Sequence, residues 1–484
     1  MANPTPTPLD IAAHTQAAMA ATQADDWGRA IAHLRVVLAI APHSAASWAN
    51  LSTALQRIGR LDDAERMAQQ AISMDPALAQ AWNALGLVAI DRARHEEARS
   101  HLARAVEIDP RFAIAHMNMG IALQAMGRDE EAFASLERAL ALDAALASAH
   151  YNVGALHHKR GRHADAVKHY REAIRLRPGD AQSHFNLALA HFISGRFEDA
   201  WTGYAWRREK REHAALLRSE GRDRIAIHAE QGLGDNLFFL RFAALLPGKT
   251  LDFVGDVRLH PMLARTELFS DLAARLGDLP AADRDVVLAG DLPALARATA
   301  TVPPPLPLTA DSARVSSMRE RLSALGPAPR IALAWRAGEP RSGRIENLFK
   351  EIPIDALGAS LRGVFATWLA IQRDPGAGEI EALSKAIGAP VHDFTAVNAD
   401  LEDALALLVQ VDDYVGVSST LVHLRAGVDR PARILVPFPY EWRWMESGEA
   451  SPWFPRATVY RQDASGDWSA ALQRLRRDFA TARS

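Results

Sequence analysis

The stretch RIAIHAEQGLGDNLFFLRFAALL, residues 224–246, predicts the fold of the second half of the chain. It begins with a short apolar strand, Ile225 to Ala229. A Gln-Gly-Leu-Gly-Asp turn follows, and then an amphipathic helix that we expect to begin near Asn236. Glycine lets a backbone approach a ligand closely, and the free N–H groups of a helix N-terminus attract anions. The stretch therefore predicts either a binding element or an ordinary connecting turn, since its two glycines lack the third of a dinucleotide fingerprint.

Short apolar strands alternate with helices from this stretch to the end of the chain, which predicts parallel sheets flanked by helices. The candidate strands are 225–229, 250–254, 286–289, 330–335, 365–371, 414–417 and 433–436. The proline-rich segment TVPPPLPL at 301–308 interrupts the alternation. We therefore expect a first lobe at 222–305, a connector at 306–329 and a second lobe with a C-terminal helix at 330–484.

Loops after parallel strands meet at one edge of a sheet, where ligands of open α/β sheets bind. The loops at 231–236, 336–350, 372–376 and 418–423 are therefore expected to converge on a cleft between the two lobes.

The first half of the chain carries an internal repeat of about 34 residues. The recurring positions are Pro42, Pro76, Pro110 and Pro178; Trp48, Trp82, His116, His150 and His184; Ala30, Ala64, Ala98, Ala132, Ala166 and Ala200; and Gly59, Gly127, Gly161 and Gly195. Small residues allow paired helices to approach, and proline follows a helix end. The pattern resembles tetratricopeptide repeats and predicts an α-solenoid superhelix of six repeats within residues 10–212.

Asparagines recur two residues after the Trp or His position of the repeats, at Asn50, Asn118, Asn152 and Asn186. An asparagine side chain offers both a donor and an acceptor, so a ladder of them can hold an extended peptide by its main chain. The ladder resembles that of the O-linked N-acetylglucosamine transferase, which implies acceptor-protein binding. The alternative is that these asparagines have no such role.

Composition excludes several classes of function. The 484 residues are 49% hydrophobic and 23% charged, and the net charge of −3 gives no reason to expect nucleic acid as a partner. No apolar run approaches the roughly 18 residues of a membrane span, and residues 1–10 lack the regions of a signal peptide, so we expect a cytoplasmic protein. The absence of cysteine excludes disulfides, thiolate nucleophiles and Cys-ligated metals.

Several motifs of the second half carry a family resemblance. They are EQGLGDNLFFLRFAALL from residue 230, LAWRAG from 333, KEIPIDAL from 350, LAIQ from 369, GVSSTLVHLRAGVDRP from 416 and PYEWRWMESGEASPWFP from 439. In this order they resemble the GT-B glycosyltransferases related to family nine, which include bacterial heptosyltransferases. The whole layout is similar to bacterial proteins that fuse tetratricopeptide repeats to this module, some of them implicated in flagellin glycosylation with nonulosonic acids. The resemblance implies a GT-B module of two Rossmann-like lobes.

The resemblance also implies roles for single residues. Asp235 matches the position of the general base, although a carboxylate there could equally cap its helix. Lys350 matches a basic position that meets the donor diphosphate, and Arg336 and Arg341 could assist it. Gln372 and Glu441 lie in loops that relatives place near the donor.

The sequence departs from its relatives at Ser418 and Ser419, where they usually carry Asp-Thr. Together with Thr420 these hydroxyls precede a predicted helix whose N–H groups could bind a phosphate or a carboxylate. Loss of the aspartate would suit an acidic donor sugar, such as a nonulosonic acid carried on CMP. His423, one turn later, could neutralise charge on the leaving phosphate or simply pack the helix.

The turn after the first strand lies in the first lobe, opposite the donor loops, so Gln231, Gly232, Gly234 and Asn236 are expected to face the acceptor. Neither a metal nor a cofactor is expected, because Asp283-Arg284-Asp285 falls in a charged turn away from the donor loops. The resulting hypothesis is a metal-independent, inverting protein O-glycosyltransferase that uses a nucleotide-sugar. The alternative is a scaffold whose transferase-like lobes have lost activity and which binds proteins through its repeats.

Overall fold

The computed structural model of the protein describes residues 8–326, 329–338 and 350–481. These residues form two compact units. The first contains the described residues up to His158 together with Asp165–Ser183, and the second contains Lys159–Ala164 and the described residues from His184 onward. The second unit thus begins inside the region that the sequence predicts to be repeats, before the expected boundary at residue 212.

Helices fill the chain up to residue 212, and from α2 to α11 they alternate between 14 and 13 residues. They are α1 (Pro8–Gln23), α2 (Trp27–Ile40), α3 (Ala45–Arg57), α4 (Leu61–Met74), α5 (Ala79–Asp91), α6 (His95–Ile108), α7 (Ala113–Ala125), α8 (Asp129–Leu142), α9 (Ala147–Lys159), α10 (His163–Leu176), α11 (Ala181–Ile193), α12 (Phe197–Tyr204) and α13 (Arg208–Glu212). None of the helices in the described residues is long and apolar enough to cross a membrane.

The repeat period determines how these helices pack. The alanines of the 34-residue series from Ala30 to Ala200 are fully buried. Glycine is required at Gly120 and Gly86, since an added Cβ would lie 2.6 Å from the side chains of Leu136 and Leu102 respectively. Gly127, in the predicted turn, has a φ of +74°, which glycine adopts without strain.

Strands begin after α13 and alternate with short helices. The elements are β1 (Arg224–His228), α14 (Leu233–Leu240), β2 (Thr250–Val254), α15 (His260–Ala264), β3 (Asp271–Ala273), β4 (Asp285–Leu288) and α16 (Leu292–Leu295). The four strands form a parallel sheet in the order β3-β2-β1-β4, here called the small sheet. Helix α14 begins three residues earlier than expected, because Gly232 is its N-cap and its carbonyl accepts a 3.0 Å bond from the backbone N–H of Asn236.

A second, larger sheet follows α17 (Ser312–Ser323). Its elements are β5 (Arg330–Ala334), β6 (Arg336–Ala337), β7 (Lys350–Glu351), α18 (Ile354–Leu361), β8 (Thr367–Ala370), α19 (Glu379–Ile387), β9 (Val391–Asp393), α20 (Leu401–Gln410), β10 (Asp413–Val417), α21 (Thr420–Gly427), β11 (Ala432–Val436), β12 (Ala450–Ser451), β13 (Phe454–Arg461) and α22 (Ser469–Thr481). The order is β12-β13-β11-β10-β5-β8-β9, with only β12 antiparallel. β6 and β7 form a separate antiparallel pair.

The predicted order of helical repeats followed by an α/β region with parallel sheets is confirmed. The predicted strand list is incomplete, since it omits β3, β6, β7, β9, β12 and β13. β13 pairs with β11 along five residues and adds one parallel strand to the large sheet. Two aromatic residues at the end of the repeat region, Trp201 and Tyr204, belong to the core of the second unit. They are buried among Phe239, Trp442 and Trp453.

Candidate functional site

A cleft of about 700 Å³ lies in the second unit, where loops at the carboxyl ends of strands in both sheets come together. Parallel strands deliver their following loops to one edge, which explains why residues distant in sequence meet here. The predicted residues that line the cleft are Gly232, Gly234, Asp235, Arg336, Lys350, Gln372, Ser418, Ser419, Thr420, His423 and Glu441. Five further side chains with charged or amide groups also line the cleft: Arg258, Arg373, Asp374, Asn398 and Arg443.

Four side chains of alternating charge form an ionic chain across the cleft. Arg443 donates from Nη2 to Asp235 Oδ1 at 2.5 Å and from Nη1 to Glu441 Oε1 at 2.6 Å. Lys350 Nζ lies 2.7 Å from the other oxygen of Glu441, Oε2, and 3.2 Å from the carbonyl oxygen of Ser418. We call Asp235, Arg443, Glu441 and Lys350 the ionic chain. It joins the first turn of α14, after the small sheet, to the loops of the large sheet.

Glu441 is the centre of this chain. Its Oε2 also accepts a 3.0 Å hydrogen bond from the Ser418 hydroxyl. Burial acts to raise the pKa of Glu441, but Lys350 and Arg443 together lower it far below the usual value, so the carboxylate stays ionised. The position next to Ser418 therefore holds a negative charge, although the aspartate expected from the family is absent. That charge is neutralised by the two cations.

The N-termini of α14 and α21 lie against each other. An added Cβ at Gly234 would lie 2.8 Å from His423 Cδ2 and 3.4 Å from the Cα of Thr420, so only glycine allows this approach. Ser419 is the N-cap residue of α21, and its side chain makes no capping hydrogen bond. The first N–H groups of both helices therefore start at the same cleft, which is an arrangement suited to anions.

His423 is held in its neutral form. Burial lowers its pKa well below the usual value, and the cations Arg443 and Arg241 lower it further. Its ring packs edge-on against Phe454 at a centroid distance of 5.2 Å. A neutral imidazole can donate a hydrogen bond but carries no positive charge, so His423 in this environment can stabilise a leaving phosphate only as a dipole.

Arg241 is a buried cation beneath the cleft. Its guanidinium donates to the carbonyl oxygens of Trp453 at 2.7 Å and Phe238 at 3.0 Å, and it has no carboxylate partner among the described residues. Burial, followed by repulsion from Arg443, lowers its pKa to about 9. It therefore adds a positive charge that the surrounding protein does not compensate.

Arg336 and Gln372 line the cleft but are engaged with the protein. The Gln372 amide oxygen accepts from the backbone N–H groups of Trp335 and Arg336 at 2.9 and 2.8 Å, and its amide nitrogen donates to two backbone carbonyls. Arg336 pairs with Glu379 at 2.8 Å. Gln372 thus orders the loop after β5, and Arg336 could meet a ligand only by leaving Glu379. Arg341, the other predicted arginine of this loop, lies outside the described residues.

The structure does not bring Gln231 and Asn236 into the cleft lining. Gln231 donates from Nε2 to the Tyr204 hydroxyl at 2.8 Å. Asn236 donates to the carbonyl oxygens of Gln231 and Gly232 at 3.0 and 3.1 Å. These contacts stabilise the turn that carries Asp235, so both side chains position a cleft residue without lining the cleft themselves.

The four predicted asparagines of the repeats differ in their surroundings. Asn50 is exposed and Asn118 is buried, where its Nδ2 donates to Asn83 Oδ1 at 2.8 Å. Asn152 is half-buried and donates to the carbonyl oxygen of Ser148 at 2.8 Å, and Asn186 is also half-buried. Asn118 in this conformation holds the neighbouring repeat, so its amide is engaged within the repeats.

The resemblance placed Arg443, with Glu441, in a loop expected near the donor but gave its side chain no role, and sequence reasoning did not identify Arg241 or the buried cluster behind the turn. In that cluster Arg207 forms a two-pronged pair with Glu230, with both distances 2.7 Å, and contacts Asp291 at 3.0 Å. The side chains of Arg207 and Glu230 are completely buried. The EWRW motif, with a carboxylate two residues before an arginine, is the one sequence signal that could have indicated Arg443.

The Asp283-Arg284-Asp285 triplet serves the small sheet. The carboxylate of Asp285 accepts from the backbone N–H groups of Glu220, Gly221 and Arg222 at 2.8 to 3.1 Å, and Asp283 pairs with Arg222 at 2.7 Å. Nowhere in the described ranges do three or more His, Asp or Glu side chains form a group that could hold a metal ion.

Comparisons with known proteins assign the first half of the chain. Two models of the tetratricopeptide repeat family match the chain. One matches residues 111–178, and the other matches residues 49–111 and 159–205. Protein FlbA of Caulobacter vibrioides (strain ATCC 19089 / CIP 103742 / CB 15) is 26% identical over 296 residues, which cover 53% of this chain and 47% of FlbA. The chain therefore spans about half the length of this curated relative.

Among solved structures, the tetratricopeptide protein TTC0263 of Thermus thermophilus is 20% identical with a TM-score of 0.35, and the alignment covers 37% of this chain and 98% of that one. Pseudomonas aeruginosa pilF is 21% identical with a TM-score of 0.35, and the alignment covers 42% of this chain and 92% of that one. The family models identify tetratricopeptide repeats within residues 49–205, and the chain is distantly related to FlbA. The α/β region is left without a family by these matches.

Proposed function

We propose that the protein is a metal-independent, inverting protein O-glycosyltransferase with a GT-B module of two Rossmann-like lobes. The small sheet would carry the acceptor side and the large sheet the nucleotide-sugar. The observation that carries the proposal is the single cleft in which Asp235 faces Lys350, Ser418 and His423 from the opposite sheet. A carboxylate opposite a cationic, hydroxyl-rich helix N-terminus is the arrangement that sugar transfer to a hydroxyl requires.

In the proposed reaction Asp235 accepts the proton of an acceptor hydroxyl. The acceptor oxygen then forms a bond to the anomeric carbon as the bond from that carbon to the donor phosphate breaks. Lys350, the hydroxyls of Ser418, Ser419 and Thr420, and the first N–H groups of α21 would stabilise the negative charge on the departing phosphate. His423 would contribute as a neutral hydrogen-bond donor.

The charge of the cleft supports an anionic donor, and CMP-nonulosonic acid is the favoured one. Five basic side chains are among the described lining residues, Arg258, Arg336, Lys350, Arg373 and Arg443, but Arg258 and Arg336 are paired with Asp256 and Glu379. The support does not come from a missing carboxylate, because Glu441 stands beside Ser418, and the ionic chain holds two charges of each sign. It comes from the buried charge of Arg241, which has no carboxylate partner among the described residues, and from the helix N-terminus at Ser418 to Thr420.

The repeats are proposed to hold the acceptor protein, for which flagellin is the favoured example. The domain bounds belong to the same proposal, with acceptor binding in residues 10–212, the acceptor-side lobe in 222–305, the connector in 306–329 and the donor-side lobe in 330–484. Asn50, Asn152 and Asn186 are the asparagines proposed to contact the acceptor backbone. Asn118 would join them only by giving up its bond to Asn83.

Calorimetric titration of the full-length protein with CMP, UDP, ADP and GDP tests the proposal. We expect CMP to bind most tightly, and we expect Lys350→Ala and Ser418→Ala each to weaken it at least tenfold, since charge-assisted contacts to phosphate are lost. Lys385→Ala, an exposed lysine of α19 outside the cleft, is the matched control and should leave the affinity unchanged. Absence of binding by all four nucleotides would refute a nucleotide-sugar enzyme.

A scaffold without activity remains the second candidate, and the contact that favours it is the 2.5 Å ion pair between Asp235 and Arg443. In this conformation Arg443 occupies Oδ1 of the proposed base, so an acceptor hydroxyl would have to compete with the arginine for that oxygen. The two candidates differ in the turnover of a CMP-activated nonulosonic acid, followed as release of CMP. If CMP binds but the donor is never consumed in the presence of purified flagellin, the scaffold is the better account.

A further inference from the structure

We infer that Arg443 is a positioning residue. When a phosphate group binds at the Lys350 end of the cleft, Arg443 releases Asp235 from the ion pair that the two residues form. The inference rests on the proposed function, because it describes how the same site would be regulated. In the described conformation Arg443 holds Asp235. A phosphate that takes Lys350 away from Glu441 would draw Arg443 toward Glu441 and release Asp235.

The ionic chain gives this coupling a physical route. Each inner member has two partners: Arg443 binds Asp235 and Glu441 through separate nitrogens, and Glu441 binds Arg443 and Lys350 through separate oxygens. A change at one end therefore alters the charge balance at each following contact. Phosphate oxygens compete well for Lys350, because the nearby Ser418 to Thr420 hydroxyls and helix N–H groups bind the same anion.

Two observations indicate that Arg443 is not in its best possible arrangement. Its Nε is buried and has no hydrogen-bond partner among the described residues, so the guanidinium does not make the two parallel bonds that it prefers with one carboxylate. It also lies close enough to the buried Arg241 for the two cations to repel each other. A second position, in which Arg443 turns both prongs toward Glu441, would form that two-pronged pair with the same number of hydrogen bonds.

Arg443 can change partners without leaving its place. Its guanidinium carbon stacks 4.6 Å from the ring centroid of Phe238 and 4.5 Å from that of Trp442. Cation–π contacts with these rings hold the guanidinium in place, and its N–H groups can bind either carboxylate. The two rings are perpendicular, with centroids 5.3 Å apart, and the guanidinium lies over both. A small change in its side-chain torsions can therefore move its N–H groups from Asp235 toward Glu441 while these contacts are kept.

Coupling between two sites is reciprocal, and this makes the inference measurable without any assay of activity. If phosphate binding weakens the contact between Asp235 and Arg443, then removing the Asp235 charge must strengthen phosphate binding. We expect Asp235→Asn to tighten the binding of CMP, or of inorganic pyrophosphate, by about 5- to 10-fold. In the background of Arg443→Gln the same substitution should change the affinity less than about twofold.

The Arg443→Gln background separates the coupling from simple charge repulsion. Loss of a nearby negative charge would strengthen anion binding in any background, whereas coupling through Arg443 requires Arg443. Asp374→Asn is the matched control, because Asp374 also lines the cleft but is exposed and stands outside the ionic chain. It should change the affinity about twofold or less. If Arg443→Gln does not fold, as judged by circular dichroism, Arg443→Lys serves instead, since an ammonium lacks the planar fork that reaches both carboxylates.

Each outcome of the titrations has a meaning. Equal tightening by Asp235→Asn in both backgrounds, or no tightening in the wild-type background, overturns the coupling while leaving the transferase proposal intact. Tightening of pyrophosphate that depends on Arg443, with no binding of any nucleotide, supports the coupling and refutes the transferase proposal. Failure of pyrophosphate and of all four nucleotides to bind refutes both.

Discussion

The contacts in the repeats join residues that are close in sequence, whereas the contacts that assemble the cleft join residues that are far apart in sequence. In the repeats a residue packs against the neighbouring helix, as Gly120 does against Leu136, and the same contact recurs at Gly86 and Leu102 one period earlier. In the cleft the decisive contact joins Asp235 to Arg443, which are 208 residues apart and follow no period. A periodic sequence therefore reveals the repeats directly, while the cleft becomes visible only when the sheets are assembled.

The two regions also use charge differently. Many ion pairs on the repeat helices are local and exposed, as in the pair of Arg128 with Glu131, three residues later, whereas Arg92 reaches Glu65 of the preceding repeat. In the second unit the pair of Arg207 with Glu230 has no exposed side-chain surface at all. Exposed pairs contribute little to stability, whereas removing one partner of a buried pair leaves an uncompensated charge.

The largest effect is expected from breaking that buried pair. Arg207→Ala leaves the buried Glu230 without its cation, while Asp291 keeps Lys210 at 3.3 Å, and should lower the free energy of unfolding by about 3–5 kcal/mol. Urea unfolding followed by tryptophan fluorescence measures it. Arg128→Ala, the exposed counterpart in the repeats, should leave the transition where it is. Equal effects of the two substitutions would contradict the distinction between the regions.

A smaller effect is expected from filling the space that the repeat period keeps open. Gly120→Ala places a Cβ 2.6 Å from Leu136 Cγ, and the overpacking should outweigh the gain in helix propensity by about 1–2 kcal/mol. Gly179→Ala is the control, because nothing lies within 4 Å of its added Cβ. Thermal unfolding by circular dichroism compares them. A Gly120→Ala protein as stable as the wild type would show that the helices separate easily.

The corresponding change in the cleft tests the contact between α14 and α21. Gly234→Ala must push α14 away from His423, and we expect nucleotide affinity to fall about tenfold, equivalent to about 1.4 kcal/mol. Gly232→Ala is matched to it, since its Cβ would meet only Asp235 Oδ2 at 3.5 Å. Calorimetry with CMP distinguishes the two. Similar affinities for both variants would mean that the close approach of the helices is not needed for binding.

The smallest effect concerns pH and the repeats. Burial lowers the pKa of His169 from 6.5 to about 4, and its Nδ1 lies 3.1 Å from that of His150. Below pH 6.5 the unfolded chain therefore binds more protons than the folded one, and the free energy of unfolding falls as the pH falls toward 4. We expect His169 to contribute about 1 kcal/mol to the loss between pH 7 and pH 5, and His169→Asn to remove that share while the share of His163, whose pKa burial also lowers to about 4, remains. Urea midpoints at the two pH values measure it, and an unchanged pH dependence in the variant would contradict this assignment.

Sequence reasoning succeeded where a local pattern carried the information. The alanine series identified the repeats, and apolar runs identified the central strands of both sheets. The resemblance to a family pointed to Asp235, Lys350 and Ser418, which the structure gathers in one cleft. Their roles in sugar transfer stay predictions.

The rest depended on contacts that leave no local trace. Arg241 has the appearance of an exposed helical arginine in the sequence, yet it is 2% exposed, because the segment that carries Trp453 covers it. Gln372 looked like a ligand contact, whereas its amide completes the hydrogen bonds of the loop after β5. The strand β13 was missed because its sequence, FPRATVYR, mixes charged and apolar residues and begins beside a proline.

The contacts of Tyr204 with Gln231 and of Arg207 with Glu230 have a consequence for how such proteins can be recombined. The last helices of the repeat region carry the side chains that support the turn of Asp235, and they belong to the same compact unit as both sheets. An exchange of repeat arrays, by evolution or by design, would therefore preserve the cleft only if it kept the residues from His184 onward, and Lys159–Ala164 belong to the same unit. The portable module is thus the α/β region together with its adjoining aromatic helices.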